Sequence, residues 1–266
     1  MNSNLPLFRR ALADSWSSLI GWSLGIVAAI MLYLPLFPSF GGNEEMQALL
    51  DSLPPELVNA IGYDQISTGS GYAQSTFYGL IGFVLLTIAA TSWGTTAVAG
   101  DEETGSLELT LAHNVSRSQV VLERSAAVII RLAWLGLLSA ILVIALNDAA
   151  ELDIEPAHAF AGAAAIVGLT LLSGTVSVAV GALTGRRLYA TAAGSGIAVL
   201  AYTVNAVANQ SEDLDALHKW SPYHWAYGNS PLANGVDWGG LALLYGVSAA
   251  LIVIAVVALN RRDLKA

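Results

Sequence analysis

The chain has 266 residues, of which 55% are apolar and only 12% charged, and its mean hydropathy is +0.60. Soluble domains carry about 25% charged residues, so the composition excludes a water-soluble globule and points to an integral membrane protein. The net charge of −9 argues against nucleic acid, which needs a basic footprint, and the lack of cysteine excludes disulfides, thiolate catalysis and thiolate metal ligation.

In chain order, the first element is an interfacial lead-in. Leu7, Phe8, Leu12 and Trp16 share one side, with Arg9, Arg10 and Asp14 elsewhere. The apolar run that follows is too long for a secretory h-region and no small-x-small cleavage site follows it, so it reads as a retained span. Pro35 and Pro38 predict that this span kinks or ends there. Next, "EEMQALLDSLPPELVNAIG" spaces Met46, Leu49, Leu50 and Leu53 as a helix lying on the outer surface would. A span needs about 20 mainly apolar residues. Six segments qualify: 17–37, 77–99, 126–146, 159–183, 189–208 and 239–259. With no repeat or low-complexity tract, the expectation is one all-α transmembrane domain over 1–266.

Nine of the eleven basic residues (Arg9, Arg10, Arg117, Arg124, Arg186, Arg187, Arg261, Arg262, Lys265) fall on one side of this six-span map. Lys219 lies on the other side and Arg131 within a span. By the positive-inside rule the basic side, with both termini, is cytoplasmic. The outer side is acidic, and its last loop, "HKWSPYHWAYGNSPLANGVDW", has the Trp and Tyr content of a membrane–water boundary. That loop reads either as an interfacial anchor or as an outer lid over a pathway.

Between the second and third spans stands "GDEETGSLELTLAHNVSR", residues 100–117. Leu107, Thr110 and Leu111 share a helical face with Glu108 off it, Gly105 suits a sharp turn, and Asn114 is a candidate helix stop. Ser116 with Gln119 forms a capping box that opens the next helix. The reading is a short helical elbow on the cytoplasmic side. Solvation alone would need only an irregular loop.

These residues resemble the permease subunits of ATP-binding-cassette (ABC) type-2 exporters. There the second span commonly runs into an acidic pair, a Gly, a "LE" pair, further leucines and "VSR". Here these are Glu102–Glu103, Gly105, Leu107–Glu108, Leu111 and Val115–Ser116–Arg117. "SPYHWAYGNSPLANGVDW" is similar to the family's segment before the last span, and "NRRDLK" to its "RRDL" close. The departure is His113–Asn114 where the family often has a Pro. The resemblance implies six spans per subunit, a homodimer or paired heterodimer of permeases, and a coupling helix docking a separate ATPase. It thereby assigns ATPase coupling to Asp101, Glu102, Glu103, Gly105, Leu107, Glu108, Leu111 and Arg117. It also implies a plasma-membrane exporter of a prokaryote, moving an amphipathic or hydrophobic substrate. No G-x-x-x-x-G-K-[ST] phosphate cradle occurs in the chain. No catalytic residue and no cofactor are therefore expected on it, and ATP with Mg is expected on the partner.

Thr87, Thr91 and Thr95 repeat every four residues on the second span, and Tyr202 and Asn205 give the fifth polar character. They read as interhelical hydrogen-bonding groups or, because the family's pathway lies between these two spans, as a substrate lining. Gly21-x-x-x-Gly25 and the fourth-span series Ser173, Ser177, Gly181 and Gly185 suit close helix packing. Arg131 either snorkels to headgroups or pairs with Asp101, Glu102 or Asp14. His218 and His224 make a poor zinc signature, so no metal is expected. Hydrolase motifs are absent and intramembrane acids are scarce, which disfavours enzymatic and proton-coupled chemistry. The competing readings are an ATP-independent carrier or channel, and a membrane sensor or scaffold that transports nothing.

Overall fold

The structure, a computed structural model, describes residues 5–40, 52, 66–113 and 115–262. The surface helix expected at 44–62, the helix stop at Asn114 and the "DLK" close at 263–265 lie outside the described residues. Six helices are long and apolar enough to cross a membrane: Trp16–Ser39, Gly69–Glu103, Arg117–Leu146, Pro156–Thr184, Arg187–Ala208 and Trp238–Arg261. We number the helices α1 (Pro6–Asp14), α2 (Trp16–Tyr33), α3 (Gly69–Glu103), α4 (Ser106–Ala112), α5 (Arg117–Leu146), α6 (Pro156–Thr184), α7 (Arg187–Ala208), α8 (Pro222–Tyr227) and α9 (Trp238–Arg261). After α2 the backbone tightens into a 3-10 turn at Leu34–Leu36. Pro35 has no N–H to continue the ladder.

Helix α6 is the axle of the bundle. It packs against α3, α5, α7 and α9, and 83% of its apolar window is buried. Its small residues make this possible. A Cβ on Gly94 of α3 would sit 2.3 Å from the Gly174 carbonyl oxygen, and one on Gly194 of α7 would sit 2.0 Å from Ser177 Oγ. Gly181 approaches Ala99 just as closely for its size, a Cβ there lying 3.3 Å from Ala99 Cβ. With no hydrophobic drive between helices in lipid, such backbone approach is what holds them together. Gly21 and Gly25 behave differently: an added Cβ would meet nothing within 4 Å among the described residues. Among the described residues the first-span pair therefore packs against no other helix.

One helix start differs from the sequence expectation. Helix α3 begins at Gly69 rather than at 77, because Thr68 caps it, accepting from Gly71 N at 3.1 Å, and Gly69 is pressed against the Leu152 backbone. Helix α5 begins at Arg117, as the capping box predicts, and carries the third span as its apolar part. Ser116 Oγ accepts from Gln119 N at 3.1 Å, as the capping box requires. The reciprocal half is missing, since the Gln119 side chain instead donates to Glu123 at 2.6 Å.

Helix α3 contains two π-helical stretches, Gln74–Ile81 and Thr96–Gly100. A π turn loosens the i→i−4 ladder, and at each stretch side chains from other helices bond to the carbonyls. At the acidic end, the Tyr223 and Tyr227 hydroxyls donate to the Gly79 and Tyr78 carbonyls at 2.9 and 2.8 Å. At the basic end, Arg124 Nη1 donates to Ala97 O at 2.8 Å and Arg187 Nη2 to Gly100 O at 3.2 Å. The aromatic segment before the last span is thus stitched onto α3, while Trp220 and Trp238 beside it stay 78% exposed.

Candidate functional site

The acidic run at the end of α3 is a clasp. Asp101 pairs with Arg124 of α5 and Glu102 with Arg262 at the end of α9. Glu103 pairs with Arg187, the first residue of α7, at 3.7 Å, and also accepts the Arg187 backbone N–H at 2.8 Å. Three consecutive carboxylates thereby hold three different helices. Arg117 adds a fourth tie, donating to the carbonyls of Leu259 and Arg262 at 3.0 and 2.6 Å. Leu259 lies in the last turn of α9 and Arg262 caps it, where helix carbonyls need donors from outside the helix. Gly185 makes room for the clasp. It ends α6 at φ +68°, and a Cβ there would strike the Glu102 carboxylate at 2.3 Å. Sequence spacing shows three acids at a helix end but not their partners, which come from positions up to 160 residues away.

Gly105 follows at φ +73° with open space around it, and this left-handed residue turns the chain into the elbow α4. On α4, Leu107 is fully buried. It packs with Val98, Val120, Val121 and Leu259, while Leu111 is half-buried against the same cluster. The apolar side chain that α4 presents outward is Leu109, 67% exposed, beside the exposed Glu108 and Ala112. The expectation of an outward Leu107–Leu111 face is thus corrected: that face seats the elbow on its own bundle, and the free face carries Leu109.

Glu123 is buried to 4% exposure and accepts the Phe8 backbone N–H at 2.8 Å. It serves one of the unpaired N–H groups in the first turn of α1, where a negative charge also suits the helix dipole. Nothing in the sequence pattern singled out Glu123. Arg131 is also buried, at 5% exposure. It pairs with none of Asp101, Glu102 and Asp14. Instead Nε donates to Ala127 O and Nη1 to Ser15 Oγ, each at 3.0 Å, and the guanidinium lies 4.9 Å from the Trp93 ring centre.

Between α3 and α7 runs a cleft of about 310 Å³ lined by Thr91, Thr95, Arg187, Thr191, Ser92, Ser195 and their neighbours. Thr95 and Thr191 hydroxyls share a hydrogen bond of 3.2 Å. The hydroxyls of Thr87 and Thr91 are buried and find no hydrogen-bond partner among the described residues. Ser92, Thr96, Thr191 and Ser195 are exposed on a flank where Ile88, Val199 and Leu200 are also exposed. Thr91 and Thr95 of the sequence series therefore meet the cleft, whereas Tyr202 does not line it. Tyr202 stacks edge-on against Tyr223 at 5.3 Å, and Phe83 and Tyr227 complete the aromatic cluster at 5.6 and 4.9 Å from Tyr223. Asn205, one turn further on, is half-buried. Burial holds the Tyr223 and Tyr227 phenols above their usual range, so both remain proton donors to α3 at neutral pH.

A family model described as ABC-2 family transporter protein matches residues 5–264, nearly the whole chain. No curated protein matches it.

Proposed function

The chain therefore belongs to the ABC-2 transporter family, and we propose that it is the membrane-spanning subunit of an exporter driven by ATP bound with Mg on a separate ATPase. In this reading the basic end faces the cytoplasm of a prokaryotic cell and two such subunits form the pathway, as a homodimer or a paired heterodimer. The observation that carries it is the elbow. Leu107 seats α4 on the bundle, the acidic clasp ties its approach to three helices, and Leu109 is left facing outward. A short helix mounted so rigidly transmits a push from a docked partner to α5, α7 and α9 rather than absorbing it. The ATPase would engage Leu109 and Glu108, whereas Asp101, Glu102, Glu103 and Arg117 serve as internal struts.

The substrate path is assigned to the hydroxyl-lined cleft between α3 and α7. Exposed hydroxyls on a lipid-facing flank are poorly solvated unless a second subunit or a substrate covers them. Thr91 and Thr95 suit the polar parts of an amphipathic substrate. The test has two arms. Leu109→Asp should leave the protein folded and weaken copurification of the ATPase, since a few apolar anchors dominate such interfaces. Thr91→Leu should change transport or substrate choice with the ATPase still bound. If Leu109→Asp copurifies the ATPase and transports like the parent, the elbow is not the coupling element.

A further inference from the structure

A second cleft, of about 500 Å³, lies at the basic end between α1, the elbow and the ends of α3 and α5. Arg131 lines it. Among the described residues the contacts of this cation are neutral: the Ala127 carbonyl, the Ser15 hydroxyl and the Trp93 ring. The other charges of the cleft are matched among themselves, Asp101 with Arg124 and the exposed Asp14 with Arg10 at 3.5 Å. Among the described residues no carboxylate lies within 4 Å of Arg131. A cation held inside a span without a counter-ion is costly, and α1, fastened through Glu123, ends at the Ser15 that contacts it.

We propose that this cleft binds a phosphate-bearing anion, with Arg131 as its buried cation and Arg10 at its mouth. The guanidinium is a planar fork that matches phosphate oxygens two at a time. Ser15 aims it, because its hydroxyl donates to Ala11 O at 2.7 Å and so presents its lone pair to Arg131. The location favours a phospholipid headgroup as the source. Trp16 beside the cleft is 63% exposed, as a headgroup-level anchor should be, and Arg9 and Arg10 are exposed on α1. Free phosphate is the other source of the same chemistry. This cleft adjoins the α3–α7 cleft at Thr96, which lines both, and Leu109 of the elbow also lines it; Arg131 lines this cleft alone, and the proposal does not depend on the transport reading.

The test uses the full chain in phosphatidylcholine nanodiscs, compared with nanodiscs that also contain phosphatidylglycerol, and with inorganic phosphate added to the former against chloride of equal ionic strength. Phosphatidylglycerol should raise the Tm and be retained by the protein in native mass spectrometry. Arg131→Gln should weaken retention about tenfold or more, the scale of one charge-assisted hydrogen bond. Arg131→Lys should keep part of it, and Arg10→Gln provides a surface variant in case Arg131→Gln does not fold. A photoactivatable phosphatidylglycerol on the unmodified protein should label α1 and the elbow. If phosphate alone reproduces the shift, and Arg131→Gln or Arg131→Lys reduces it, the site stands and its ligand is free phosphate. Equal Tm and retention in all lipids and salts, labelling confined to other helices, or a response undiminished in every variant would overturn the proposal.

Discussion

Leu107 and Leu109 stand two residues apart on the same short helix and face opposite fates. Leu107 is fully buried, which contributes about 2 kcal/mol relative to leaving it exposed. Leu107→Asp would place an unpaired carboxylate there, at a cost of about 3–5 kcal/mol. The expected outcome is loss of folded protein, read as a low yield and a lowered Tm, and not the selective uncoupling expected of Leu109→Asp. A second residue-scale prediction concerns His224. Its ring stacks on His218 at 4.2 Å, and burial first, then the neighbouring imidazole, hold its pKa below the ordinary value, with Asp215 and Asp237 opposing. A group whose folded pKa is depressed stabilises the fold above its unfolded pKa, and that contribution is lost as pH falls through the folded value. Tm should therefore drop on acidification from about pH 7 to about pH 5, and the drop should be smaller in His224→Gln. Equal drops would assign the acid sensitivity to other groups.

At the scale of elements, the two π-helical stretches of α3 explain why its ends are gripped so heavily by other helices. A continuous α-helix offers its mid-helix carbonyls to its own backbone, whereas a π turn leaves some of them to bond elsewhere. Tyr223 and Tyr227 bond to them at one end, Arg124 and Arg187 at the other. Replacing both tyrosines with Phe keeps the aromatic cluster and removes only the hydroxyl donors. Each buried carbonyl left unmatched costs about 1–3 kcal/mol, so the double variant should lose several degrees of Tm. Tyr202→Phe, which leaves both bonds to α3 in place, should lose less. A double variant as stable as the parent would mean that the π stretch needs no outside donor. The capping box at Ser116 shows how far local pattern reaches: the hydroxyl caps as the spacing requires, but the Gln119 side chain turns its amide N–H to the buried Glu123 carboxylate, a partner that local spacing does not announce.

For the whole molecule, the test is orientation. A chain without cysteine accepts single reporters cleanly. Cysteines at Glu151 and Asp213 should react with a membrane-impermeant thiol reagent in intact cells, and one at Glu108 should not; all three positions are exposed. The reverse pattern at any of them would break the proposed inside–outside assignment. Six apolar runs of span length, an excess of arginine on one side and an elbow between the second and third spans were all legible in the residues, because membranes impose length, polarity and charge rules that act locally. The family resemblance was legible too, from the order of "DEETGSLEL", "VSR" and "NRRDL" along the chain. Which side of the elbow is free was not legible. Leu107, Leu109 and Leu111 are alike as letters, and only the position of α5 and α9 beneath α4 decides that Leu107 is buried and Leu109 exposed. The same holds for the acids and Arg131. Asp101, Glu102 and Glu103 became struts, and Arg131 became a buried cation with no carboxylate partner among the described residues, because their partners are set by how helices distant in sequence converge on α6, a matter of packing that no local spacing encodes.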